Sequence, residues 1–87
     1  MRGLASTLLT AVSFYEIWGD DYMDPDMAAK ALETVSSELA QCTDEEIRAL
    51  AEVAREQAER ARAAGATAEW VRFYENFIEN AGLASRL

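Results

Sequence analysis

Histidine is absent from the 87 residues. With it goes the side chain most often used for proton transfer near neutral pH and for binding transition metals. A single cysteine, Cys42, has no partner for a disulfide within the chain. That usage fits a reducing, cytoplasmic compartment better than a secreted one. Proline occurs once and glycine four times, so the breakers are few and the stretches between them long. No apolar run reaches the ~20 residues that a membrane span needs. Residues 4–12 (LASTLLTAV) come nearest, and they run on into Phe14, Tyr15 and Glu16 without the small-residue cleavage pattern of a signal peptide. A soluble, unprocessed chain is the expectation.

What is present is globular in kind. Hydrophobic residues make up 51% and charged residues 28% of the chain, outside the range of disordered sequences. The length suits one helical domain over 1–87, large enough to bury a modest core without metals or disulfides. Four helices follow from the breakers and the apolar spacing. The first is expected over 4–18, with Leu4, Leu8, Ala11, Val12, Tyr15 and Trp18 at three- and four-residue steps and Gly19 as its stop. The second covers 25–41: Asp24 is its N-cap, Pro25 its first helical residue, and Ala28, Ala31, Leu32, Val35 and Leu39 its inner stripe. Thr43 and Glu46 form a capping box that opens the third, 44–64, whose stripe is Ile47, Leu50, Ala51, Ala54, Ala58 and Ala61 and whose stop is Gly65. The fourth, 68–81, carries the bulk (Trp70, Val71, Phe73, Tyr74, Phe77, Ile78) and stops at Gly82. Residues 83–87 are expected to fray. Pairs Glu56–Arg60, Glu52–Arg55 and Glu59–Arg62 have the spacing for ion pairs along the third helix.

Short connections favour antiparallel neighbours, so the predicted fold class is all-α: a small four-helix bundle, up-down-up-down or a close relative. In that arrangement Phe14, Tyr15, Ile17 and Trp18 would meet Trp70, Phe73 and Tyr74 at one end. Helix 1 carries more apolar residues than one buried face needs, and Leu8, Leu9 and Val12 are therefore a candidate homodimer seam.

Charge is distributed one-sidedly. Residues 1–46 hold ten acids against Arg2 and Lys30, while 47–87 hold six acids and six arginines, so the whole net charge of −8 lies in the first half. Such a surface steers toward basic partners and repels nucleic acid. Helix starts account for Asp24, Asp26, Asp44, Glu45 and Glu46. Glu16, Asp20 and Asp21 are different: they crowd a predicted helix C-terminus, where the dipole disfavours negative charge.

The segment WGDDYMDPD (18–26) fails as a calcium loop in every register. From Asp20 the third ligand position is Tyr22 and the sixth is Pro25; from Asp24 the fifth is Ala28. The Glu-x-x-His pairs of di-iron bundles are absent, so no metal or cofactor is expected. Cys42 has no histidine base in the chain to activate it as a nucleophile. Ser36-Ser37-Glu38-Leu39 lacks the Asp that precedes the modified serine of acyl carrier proteins. In size, acidity and four-helix plan the chain is similar to the colicin-nuclease immunity proteins. Their Tyr-Tyr-Pro recognition element is missing here, which makes the likeness one of type and not of family.

The functional expectation is a non-enzymatic acidic protein-binding module, an inhibitor or immunity/antitoxin-type protein. It would cover a basic site on a partner protein such as a toxin or nucleic-acid-binding enzyme. Its expected contact residues are Tyr15, Glu16, Trp18, Asp20, Asp21, Tyr22, Asp24, Asp26 and Glu33, an aromatic patch ringed by carboxylates. A self-associating scaffold paired through helix 1, and a small-molecule or carrier protein using the aromatic end of the bundle, are the alternatives.

Overall fold

Capping physics places the helices almost where the sequence puts them. The computed structural model describes residues 2–17 and 24–87, and every element in them is helical. Helix α1 is Arg2–Glu16, α2 Pro25–Leu39, α3 Asp44–Ala63, α4 Ala68–Glu75 and α5 Phe77–Asn80; a 3₁₀ turn, Ala84–Arg86, follows. The Asp24 carboxylate accepts the Asp26 N–H at 2.8 Å and so caps α2, with Pro25 at its first position. At α3 the capping box is complete: the Thr43 hydroxyl accepts from the Glu46 N–H at 3.1 Å, and the Glu46 carboxylate from the Thr43 N–H at 2.8 Å. These hydrogen bonds hold the Glu46 carboxyl below the ordinary carboxylate range.

Gly65 and Gly82 take positive φ, 74° and 77°, as residues that end helices in the left-handed region. In both cases the next N–H reaches back five residues, Ala66 to the Ala61 carbonyl and Leu83 to that of Ile78. At the second of these turns Leu83 is folded into the core. The segment that follows reaches back to the end of α2 and the start of α3. Arg86 donates to the Ala40 carbonyl at 2.9 Å, to the Cys42 carbonyl at 2.5 Å and to the Asp44 carboxylate at 2.8 Å. It satisfies carbonyls left open past the end of α2, a role that no local sequence signal announces.

Helix 68–81 differs from expectation by a break. Asn76 has φ −102° and ψ 4°, outside the helical well, and divides it into α4 and α5. The break lets Phe73, Phe77 and Ile78 all reach the core. Ring contacts run along this unit, Trp70 to Phe73 and Tyr74, and Phe73 to Tyr74 and Phe77. Phe14 stands apart from it, 60% exposed, so the expected meeting of helix 1 aromatics with this cluster is not formed there.

The core is built on a central pair, α1 with α3; α4 packs on α3, and α2 on α1. Its centre holds Leu9, Val12, Ile47, Leu50, Val53, Ala54, Phe73 and Phe77. On α1 the buried stripe is Ala5, Leu9 and Val12, while Leu4 is 74% exposed and Ala11 also faces out. Both stripes are apolar at helical spacing, so periodicity alone does not choose between them, and α3 selects the one that packs. The expected dimer seam loses two of its three residues to this core, Leu9 and Val12, and Leu8 packs against it. The ion pairs also differ: among the described residues they are Arg2–Glu56, Arg55–Glu59, Arg62–Glu75 and Arg86–Asp44. Three of the four join separate parts of the chain rather than neighbours on α3.

Candidate functional site

Helix α2 is the least enclosed of the long helices. Of its stripe, Ala28 and Leu39 are buried, whereas Ala31, Leu32 and Val35 remain half-buried. The cause is geometric. α2 packs on α1 and makes no extensive contact with α3, α4 or α5. Its outward apolar edge therefore borders a groove of about 410 Å³ between α1, α2 and α5. Val12 reaches the groove from α1, Leu32, Val35 and Leu39 line it from α2, and Phe77 from α5. Glu16, at the last position of α1, and Glu33, on α2, bring carboxylates to the same space.

Two of the nine sequence-predicted contact residues thus meet. Tyr15 is on a different face of α1, bordering a shallow surface with Gly3, Thr7, Ala11 and Phe14. Asp24 is occupied as the α2 cap, and Asp26 is exposed in the first turn beside it. Trp18, Asp20, Asp21 and Tyr22 lie outside the described residues. The sequence reading missed the groove's apolar walls because Leu32 and Val35 read as ordinary core positions. The available signal was on α2 itself, where acids at Glu33 and Glu38 flank a stripe of modest width.

The electrostatics are uneven. Among the described residues neither Glu16, Glu33, Asp24 nor Asp26 is in an ion pair, while Arg86, Arg62, Arg55 and Arg2 are all engaged elsewhere. Glu16 is exposed as a residue, but desolvation beside the groove raises its carboxyl above the ordinary range. An acid whose pKa is higher in the folded state binds its proton more readily there. Stability is then lost as pH rises through the raised value and is unaffected where both states are protonated. Glu16→Gln is accordingly expected to raise the melting temperature at neutral pH. The gain should vanish below the ordinary carboxylate range, and melting curves across pH check it. A loss of stability at neutral pH would mean that the charge is compensated in the folded chain.

Among the described residues no helix is long and apolar enough to cross a membrane, and no three acids or thiols are grouped to hold a metal ion. No family model, curated protein or solved structure matches the chain.

Proposed function

We propose that this chain is a non-enzymatic acidic binding module that covers a basic site on a partner protein, in the manner of a small inhibitor or of immunity and antitoxin proteins. The partner would be a toxin or a nucleic-acid-binding enzyme, met in the cytoplasm, where a free thiol such as Cys42 is kept reduced. The scaffold is read as an antiparallel four-helix bundle or a close relative, supported by the short connections between α2, α3 and α4.

One observation carries this reading. Glu16 at the end of α1 and Asp24, Asp26 and Glu33 along α2 have no cationic partner among the described residues, where the ion pairs that form engage Arg2, Arg55, Arg62 and Arg86 with other acids. Uncompensated charge beside half-buried apolar residues supports association that is fast, salt-sensitive and anchored by a few side chains. Trp18, Asp20, Asp21 and Tyr22 stay in the proposed contact set as residues that the sequence places between these acids.

Capture from the source cell, followed by kinetics on the purified partner, tests the proposal. Asp24→Asn with Asp26→Asn keeps an N-cap side chain at 24 and removes two charges. The expected result is a slower on-rate with a shallower salt dependence and an unchanged melting temperature. A captured partner whose association ignores both salt and this variant would overturn the charge-complementary reading.

A further inference from the structure

The α1–α2–α5 groove has walls of helical ridges. Leu32, Val35 and Leu39 recur at three- and four-residue steps on α2, facing Phe77 and Ala81 at a four-residue step on the other side. Ridges of that spacing accept the side chains of another helix. The groove has an acidic rim, Glu16 and Glu33, and no basic side chain of this chain lines it among the described residues. An apolar trough ending in unpaired carboxylates is complementary to a side chain with an aliphatic stem and a positive head. Arginine meets that description better than lysine. Its planar fork can donate to two carboxylates at once, and it is more weakly hydrated than an ammonium group. The raised Glu16 carboxyl is consistent with this, since a cation beside it would offset the desolvation that burial imposes.

We infer, resting on the protein-binding reading above, that this groove docks an amphipathic helix of the basic partner. The helix lays an apolar side chain between Leu32 and Phe77 and sets an arginine about one turn away against Glu16 and Glu33.

The probe is a synthetic amphipathic helical peptide with one leucine and one arginine on its apolar face, compared with the same peptide carrying citrulline, the neutral isostere, in place of arginine. Calorimetry and NMR on the full chain report affinity and location. The arginine peptide should shift Val12, Leu32, Val35 and Phe77, and the citrulline peptide should bind at least about tenfold more weakly. Glu16→Gln with Glu33→Gln should erase that difference while leaving the citrulline affinity unchanged, which isolates the charge pairing. Ser36→Arg places a guanidinium in the groove from a half-buried position and should abolish peptide binding with the circular dichroism spectrum preserved.

Equal affinity of the two peptides for the wild-type chain, or shifts confined to α3 and α4, overturns the inference. The two readings fail separately. A basic partner captured through Asp24 and Asp26, with no peptide in the groove, sinks this inference and leaves the wider proposal standing. Arginine-selective binding in the groove supports the inference even where the captured partner ignores those two acids.

Discussion

Leu9→Asp is expected to leave the chain unfolded at neutral pH. Leu9 is 1% exposed and sits where α1 meets α3, among Ala5, Val12, Ile47 and Leu50 of the same core. No arginine or lysine belongs to that cluster, so a carboxylate placed there would be desolvated without a partner. Such a group costs several kcal/mol, against a total of about 5–15 kcal/mol for a small domain. Far-UV circular dichroism reads the outcome directly. The substitution also separates two roles for helix 1. Were Leu9 part of a seam between two copies, the aspartate would yield a folded monomer with normal helicity. A folded, monomeric Leu9→Asp chain would therefore contradict the packing of α1 on α3.

Phe73→Ala is expected to cost about 3–5 kcal/mol, the usual range for deleting a buried aromatic ring. Phe73 is 5% exposed and touches three other rings: Trp70 at 6.5 Å between centroids, Tyr74 at 5.2 Å and Phe77 at 5.8 Å. Edge-on geometry in these pairs adds to the area buried. Ala54 and Ala58 of α3 are buried and line one surface recess with Tyr74 of α4, and they have little side chain with which to refill the space. The cavity should thus persist, and both denaturant and thermal melts should register the full loss. An unchanged midpoint would mean that α4 does not cover α3 with this ring.

The ends of α2 and α3 were legible from local chemistry. Asp24-Pro25 and the Thr43/Glu46 box act within a few residues, through hydrogen bonds that depend on no distant packing, and Gly65 and Gly82 act through backbone freedom alone. The expected helices of 25–41 and 44–64 accordingly agree with Pro25–Leu39 and Asp44–Ala63 to within two residues. The break at Asn76 was not legible, because its neighbours keep helical spacing on both sides. The inner face of α1 was legible only in part. Val12 was read on it and is buried, and Leu8 packs against the core. Leu4 and Ala11, however, face out while Ala5 and Leu9 are buried, a choice that the shape of α3 decides.

The candidate site divides along the same line. Its charge is a property of the sequence, ten acids against two bases up to residue 46. That Glu16 and Glu33 border one groove, and that Asp24 is spent on a cap, are matters of tertiary structure. The same is true of Leu32 and Val35. Their spacing determines that they lie on one side of α2, but whether that side is sealed depends on which helices come to cover it. Among the described residues α2 packs chiefly on α1, so part of its apolar stripe stayed at the surface. Local hydrogen bonding and charge act over a few residues and can be read one segment at a time. Burial depends on every segment at once, and so the groove could be decided only when all the helices were in place.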